Sequence, residues 1–177
     1  DAILSRGLGD VYKRQVTDAA VVIGPAAWKF NWSRNDYDQL AGALAAGHII
    51  ECGAQATGGN YSFFKEVPTF KDIGYPIAEI NQDGSFIITK HPNTGGLVSV
   101  GTVTAQLLYE IGSPAYVNPD VISHFDTLKI EQEAEDRVFV SGCRGSSPPK
   151  DHKVCINLAG GFRNGTELLL TGLDLSL

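Results

Sequence analysis

The sequence lacks the features that mark several large classes of protein. No apolar run approaches the roughly 20 residues that a membrane-spanning helix needs, and no secretory signal peptide is visible. Lysine and arginine number 14 against 20 aspartates and glutamates, which gives a net charge of −6. A protein that binds nucleic acid needs a basic surface to neutralise phosphates. We therefore expect neither nucleic acid nor a membrane among the partners of this chain.

Cysteine is scarce, and its spacing matches no common site. The 3 cysteines, Cys52, Cys143 and Cys155, form no CxxC pair. An odd number of this kind indicates reduced thiols in a cytoplasm rather than a disulfide framework or a zinc site. The phosphate-binding motifs GxxxxGKS/T and GxGxxG and the metal-binding motif HExxH are absent as well. The sequence therefore predicts no metal site and identifies no cofactor.

What is present fits one soluble globular domain. The chain has 177 residues, of which 43% are hydrophobic and 19% charged, and this length is sufficient for a real core. Its 20 glycines are many for this length. They predict tight turns or loops that approach a ligand closely.

Hydrophobic periodicity places helices in the first part of the chain. An apolar run over Val16–Trp32, interrupted by a Gly-Pro pair, predicts a buried helix with Asp18 as a cap near its start. Apolar residues at helical spacing predict a second helix over Ser33–Ile50, capped by Ser33 or Asn35.

Short alternating segments follow and predict strands. Ile77–Asn81 and Ser85–Lys90, joined by an Asp-Gly turn, predict a β-hairpin. Polar stretches at Gly112–Asp120 and Gly142–Asp151 predict connections. The other predicted elements are a helix, or a short strand followed by a helix, at Leu97–Ile111 and strands at Thr127–Gln132, Arg137–Ser141, Lys153–Leu158 and Thr166–Leu170. This order indicates an α/β fold, a mixed sheet with helices packed on at least one face, in a truncated domain.

Two glycine-rich turns carry the residues best suited to chemistry. His48–Gly59 crowds polar groups among glycines, and Thr89–Gly96 places a lysine and Thr-Gly-Gly before a helix. Backbone N–H groups and the helix dipole favour an anion at such a turn. We expect the two turns to form one site. Its predicted ligand-binding residues are Gly53, Gln55, Thr57, Gly58, Gly59, Thr94, Gly95 and Gly96.

Glu51, Glu79 and Lys90 are the predicted catalytic residues. Lys90 would pair with a carboxylate or phosphate as a point charge, and Glu51 or Glu79 would act as general acid or base if burial raised its pKa. Cys52 could act as a nucleophile only with a base such as His48, one helical turn before it. A small buried thiol and a packed core histidine are the simpler interpretations. A metal-dependent hydrolase built on His48, Glu51 and Glu79 ranks lower, because no paired-histidine spacing supports it.

Residues 1–15 are expected to be a non-native segment. Asp10–Gln15 back-translates to a sequence that resembles the mosaic-end adapter of transposon-based sequencing libraries, which contaminates metagenomic assemblies. Leu175–Leu177 is consistent with the same adapter read on the opposite strand. We expect residues 1–15 to pack poorly and to carry no function; a genuine polar segment is the alternative.

Several further blocks form a set whose order and spacing would be hard to reach by chance. They are Asp18–Ala20, Gly24–Ala27, Ala46–Gln55, Thr57–Gly59, Gly74–Glu79, Asp83-Gly84, Ile88–Lys90, Thr94–Gly96, Thr102–Thr104, Gln106–Glu110, Pro119–Val121 and Asp136–Val138. As a set they resemble the acyclic terpene utilisation family of bacterial proteins, formerly a domain of unknown function. The resemblance covers about residues 16–160, and it assigns residues 16–177 to part of the family's N-terminal domain.

The resemblance implies a cytoplasmic protein of the breakdown of acyclic terpenes such as citronellol and geraniol, a pathway that runs through acyl-CoA thioesters. It brings no assigned reaction and no catalytic residues. We therefore expect a small acyl-CoA or carboxylate ligand, bound by an enzyme or enzyme component. The alternative is a non-catalytic ligand-binding or assembly module beside the pathway's carboxylase. A homo-oligomer is compatible with the sequence.

Overall fold

The computed structural model describes residues 17–151, 160–161 and 165–167. Segment 1–15, the predicted strand Lys153–Leu158 and most of the strand predicted at Thr166–Leu170 lie outside these residues. Within them the α/β class is confirmed, because helices pack against two antiparallel sheets. The helices are α1 (Ile23–Phe30), α2 (Tyr37–Ile50) and α3 (Val100–Leu107). The strands are β1 (Pro76–Ile80), β2 (Phe86–Lys90), β3 (Ala115–Val117), β4 (Ile122–His124), β5 (Lys129–Ala134), β6 (Arg137–Ser141) and β7 (Arg144–Ser146).

Helix α2 is the centre of the fold. Every residue from Leu40 to Ile49 is buried, as expected for a helix that is apolar or small on all sides. The helix contacts β1 and β2 of one sheet, β4 and β7 of the other, and both remaining helices. Its glycines permit this crowding: a Cβ added at Gly42 would lie 1.9 Å from the carbonyl oxygen of Gly84. The Asp-Gly turn of the hairpin therefore packs directly on the helix backbone.

The larger sheet has the strand order β1-β2-β6-β5, and all of its pairs are antiparallel. The predicted hairpin is confirmed, with Glu79 opposite Ile87. The strands predicted at Thr127–Gln132 and Arg137–Ser141 are also present, as β5 and β6, and they pair with each other. An isolated parallel bridge outside the strands joins Ile73 to Gly95.

The smaller sheet has the order β3-β4-β7 and corrects two predictions. The segments Gly112–Asp120 and Gly142–Asp151, predicted as connections, contain β3 and β7 respectively. Each of these strands has 3 residues, which is too short for an alternating pattern to be visible in the sequence. They form because β4 lies between them and α2 covers β4 and β7.

The helix ends also differ from their predictions. Asp36, rather than Ser33 or Asn35, stands at the N-cap of α2, and its carboxylate accepts a hydrogen bond from the backbone N–H of Ser33 at 2.6 Å. Helix α3 is shorter than the predicted Leu97–Ile111, because Ser99 and Thr102 form a capping box that fixes its start. No helix in the described part of the chain is long and apolar enough to cross a membrane.

Candidate functional site

The two predicted turns are in direct contact through Thr57. Its hydroxyl donates to the carbonyl oxygen of Gly74 at 2.6 Å, and its own carbonyl accepts from the N–H of Leu97 at 2.9 Å. A Cβ added at Gly96 would lie 2.7 Å from the same carbonyl oxygen. Gly96 is therefore needed for the close approach of two segments of the chain. This packing gives no support to its predicted role in binding a ligand.

The backbone N–H groups at the end of the second turn, which would face an anion before the helix, already have partners. The N–H of Gly95 donates to the backbone carbonyl oxygen of Asp72 at 3.0 Å and that of Gly96 to the backbone carbonyl oxygen of Thr69 at 2.8 Å, and Leu97 makes the bond to Thr57 just described. The next N–H group, that of Val98, donates to a carboxylate oxygen of Asp136 at 2.7 Å. An anion would have to displace these bonds, so the geometry does not favour the predicted anion site.

Lys90 is held in the same internal network. Its Nζ lies 2.9 Å from Asp136 Oδ2 and donates to the carbonyl oxygen of Thr94 at 2.9 Å. The side chain of Lys90 is only 6% exposed. The Thr94 hydroxyl donates to the carbonyl oxygen of His91 at 2.6 Å. Lys90 therefore ties the end of β2 and the loop of Thr94 to the turn before β6, and it does not point a free charge at a ligand.

Glu79 lies on the exposed side of β1, in an ion pair. Arg137 donates to both of its carboxylate oxygens, at 3.2 and 2.9 Å, and also pairs with Glu133 at 3.2 Å. The hydrogen bonds from Arg137 lower the pKa of Glu79. A carboxylate that stays ionised and bound to a guanidinium is poorly suited to general acid catalysis. None of these contacts involves the His48–Gly59 turn.

The third predicted catalytic residue, Glu51, lies in a different environment at the C-cap of α2. Its carboxylate accepts a hydrogen bond from the thiol of Cys52. The pKa of Cys52 is raised to about 12, mainly by burial and to a smaller extent by this hydrogen bond. Since the thiolate is the nucleophilic form, Cys52 remains a thiol at neutral pH. The structure thus agrees with the interpretation of Cys52 as a small packed thiol.

His48 is a buried neighbour of this carboxylate. Its ring lies 5.2 Å from that of Tyr116 and 5.7 Å from that of Phe125, measured between centroids. Burial lowers the pKa of His48, although the carboxylates of Glu51 and Glu110 act in the opposite direction. The imidazole is therefore neutral at neutral pH. A neutral ring can donate from one nitrogen and accept at the other.

Unpaired polar atoms concentrate around Glu51 and Cys52. Among the described residues, the buried side-chain atoms without a hydrogen-bond partner are His48 Nε2, Gln55 Oε1, Gln106 Nε2 and Asn118 Nδ2. The Gln106 amide lies beside the Cys52 thiol, and Gln55 lies beside the hydroxyl of Tyr109. We call the group His48, Glu51, Cys52, Gln55, Gln106, Tyr109 and Glu110 the polar cluster. Buried groups of this kind are normally paired with protein, water or a ligand.

The charge of the polar cluster is acidic. The charged side chains that most affect His48, Cys52 and Tyr116 are the carboxylates of Asp18, Glu51 and Glu110. No set of three or more His, Cys, Asp or Glu side chains in the described ranges is arranged to hold a metal ion. The cluster is thus a set of hydrogen-bonding groups in a negative field.

Sequence reasoning missed Gln106, which is fully buried. A signal was present, because Gln106 follows Val103 by three residues and so lies on the same face of α3 as that buried valine. A glutamine on an apolar helical face requires a hydrogen-bond partner. For that reason Gln106 could have been recognised from the sequence as a candidate site residue.

Two open clefts lie elsewhere and contain none of the predicted site residues. One, of about 470 Å³, lies between the start of α2 and the residues before β4; among its lining residues are Trp32, Arg34, Tyr37 and Asp120. The other, of about 390 Å³, lies near the hairpin turn, next to Cys143, whose pKa burial raises to about 12.

Comparison with known proteins agrees with the resemblance seen in the sequence. The model of one family, described as acyclic terpene utilisation family protein AtuA, matches residues 14–176. Neither the curated proteins nor the solved structures gave a significant match. The family model spans nearly the whole chain and includes both turns and the polar cluster. The chain therefore belongs to the acyclic terpene utilisation family.

Proposed function

We propose that this chain takes part in acyclic terpene breakdown by binding an acyl-CoA or carboxylate intermediate at the polar cluster. The observation that supports this is the convergence of unpaired buried atoms, among them Gln55 Oε1 and Gln106 Nε2, beside Glu51. An unpaired buried polar atom costs about 1–3 kcal/mol, so a ligand that satisfies several of them gains binding energy. Because such intermediates are formed inside the cell, we also propose a cytoplasmic location.

Within this proposal Glu51 is the candidate general acid or base. It is half-buried, accepts a hydrogen bond from the Cys52 thiol and lies next to the unpaired groups, which places it within reach of a ligand bound there. Glu79 and Lys90, predicted as catalytic, take no part in the proposal, because each is ion-paired within the chain. Gln55 keeps its predicted ligand-binding role, and Gln106 joins it.

The second candidate function is a non-catalytic ligand-binding or assembly module. One observation favours it: Cys52, the cysteine nearest to the candidate acid or base, is held as a thiol by burial and by Glu51 and so is not a ready nucleophile. Such a module would bind the same intermediate but leave it chemically unchanged. Incubation with a bound acyl-CoA, followed by mass spectrometry of the ligand, separates the two functions.

Thermal unfolding in the presence of candidate ligands tests the proposal. The ligands are citronellyl-CoA, citronellic acid and free CoA, each over a range of concentrations. A ligand that binds only the folded chain stabilises it by about 2.7 kcal/mol at a hundred times its Kd. We expect a concentration-dependent rise in Tm with citronellyl-CoA or the acid. The absence of any shift with both compounds would contradict the proposal.

A further inference from the structure

We infer that the polar cluster recognises the uncharged thioester and amide groups of an acyl-CoA and discriminates against the free carboxylic acid. The inference rests on the proposed function and narrows its ligand class. The buried atoms that lack good hydrogen-bond partners include both a donor and an acceptor.

The donor is Gln106 Nε2. The other end of the same amide, Oε1, accepts from Asn60 Nδ2 at 3.3 Å, so the orientation of the amide is set and its NH₂ group faces away from Asn60. The side chain has 0% exposure, and the polar neighbour of its NH₂ group is the Cys52 thiol, a weak acceptor that leaves Nε2 without a well-aligned hydrogen bond. It requires an acceptor such as the carbonyl oxygen of a thioester or an amide.

The acceptor is Gln55 Oε1, which is buried and also without a partner. It requires a donor from the ligand. The pantetheine arm of CoA carries amide N–H groups close to the thioester carbonyl, so one ligand offers both a donor and an acceptor. An ionised carboxylate only accepts hydrogen bonds and leaves Gln55 unsatisfied.

The negative charge of the polar cluster, like its hydrogen-bonding groups, favours the thioester over the free acid. Glu51 and Glu110 are the carboxylates that most affect the buried groups of the cluster. A carboxylate ligand placed there would experience like-charge repulsion, whereas a thioester carries no charge at the reacting group. Together these effects predict that the free acid binds at least roughly tenfold more weakly than the thioester.

The edge of the cluster offers apolar surface for an acyl chain. Tyr75 is 68% exposed, and its ring lies over Gly53, where an added Cβ would be 3.4 Å away. Gly53 has φ 58°, a left-handed conformation that favours glycine. This turn places an aromatic face over Gly53, two residues before Gln55 in the chain, and an amphipathic ligand needs such an apolar surface near its polar head.

The test compares two small probes by isothermal titration calorimetry on the whole chain. One is the N-acetylcysteamine thioester of citronellic acid, which is uncharged and lacks the nucleotide of CoA. The other is citronellic acid at neutral pH. We expect the thioester to bind and the acid to bind at least about tenfold more weakly. We further expect Glu51→Gln to narrow the ratio between the two affinities.

Variants of the glutamines locate the recognition. Gln106→Leu and Gln55→Leu should each weaken thioester binding by about tenfold, the value of one lost hydrogen bond. Gln82→Leu, an exposed glutamine in the hairpin turn, is the matched control and should leave binding unchanged. Circular dichroism of each variant shows whether it is folded, and Gln55→Leu serves if Gln106→Leu does not fold.

The possible outcomes separate failure of the inference from failure of the proposed function. Equal affinity for acid and thioester, or glutamine variants that bind like Gln82→Leu, would overturn the inference. Binding of citronellyl-CoA but not of the truncated thioester would overturn it as well and would leave the proposed function standing. If no thioester and no acid binds, the proposed function itself fails.

Discussion

Replacing Lys90 by methionine should destabilise the fold more than any loss of a surface charge. The ammonium group lies 2.9 Å from Asp136 Oδ2 and donates to the carbonyl oxygen of Thr94, and the lysine side chain is only 6% exposed. Methionine preserves much of the volume of the lysine stem but removes the charge. Asp136 would then be left with one N–H donor, that of Val98.

The structure sets the size of the effect. Breaking a fully buried ion pair by removing one partner costs about 3–5 kcal/mol. The side chain of Asp136 is 27% exposed, so water can partly compensate its charge. We therefore expect Lys90→Met to lower the free energy of unfolding by about 2–3 kcal/mol.

Arg144→Met provides the matched control. Arg144 pairs with Asp38 at 3.4 Å, and its side chain is 72% exposed, so its loss should cost less than about 1 kcal/mol. Urea unfolding, followed by circular dichroism, gives both values from the shift in midpoint at constant m. Equal costs for the two variants would refute the structural role of Lys90. Loss of ligand binding by Lys90→Met without loss of stability would instead support the predicted catalytic role.

Three further predictions follow from local packing and charge. Gly42→Ala should cost about 3 kcal/mol or more, because its Cβ would lie 1.9 Å from a carbonyl oxygen. The same change at Gly24 meets no atom within 4 Å and should be neutral or stabilising by up to about 1 kcal/mol; thermal unfolding compares the two. Cys52, with a pKa raised to about 12, should react slowly with iodoacetamide at mildly alkaline pH, and Glu51→Gln should accelerate the reaction, as mass spectrometry can show. Burial lowers the pKa of His48, so its contribution to stability is present above about pH 6.5 and is lost as the pH falls through the lower folded value. His48→Phe should therefore reduce the loss of stability between neutral and mildly acidic pH, and an unchanged pH profile would contradict the assignment.

The hairpin could be predicted from the sequence because its signals are local. An Asp-Gly pair between two alternating segments specifies the turn and the pairing, and the structure has both. Strands β3, β4 and β7 could not be predicted, since each has 3 residues and gains its stability from α2 and from its neighbours. In such strands the tertiary contacts decide the conformation.

The site could be predicted only in part, for a related reason. A glycine in the sequence indicates that another group comes close to the backbone. It does not show whether that group is a ligand or another segment of the chain. At Gly96 the approaching group is the backbone of Thr57, and the lysine that was expected to face an anion is paired with Asp136. Gln106 was missed because its importance comes from burial by segments distant in sequence. Hydrogen-bond satisfaction becomes visible only when those segments are brought together.

The location of the ligand is the central claim, and hydrogen–deuterium exchange tests it most directly. The chain is compared with and without a saturating acyl-CoA, and the protected peptides are identified by mass spectrometry. We predict slower exchange over residues 48–55 and 106–110, where the polar cluster lies. Protection confined to residues 89–96, with no change around Glu51 and Gln106, would contradict it.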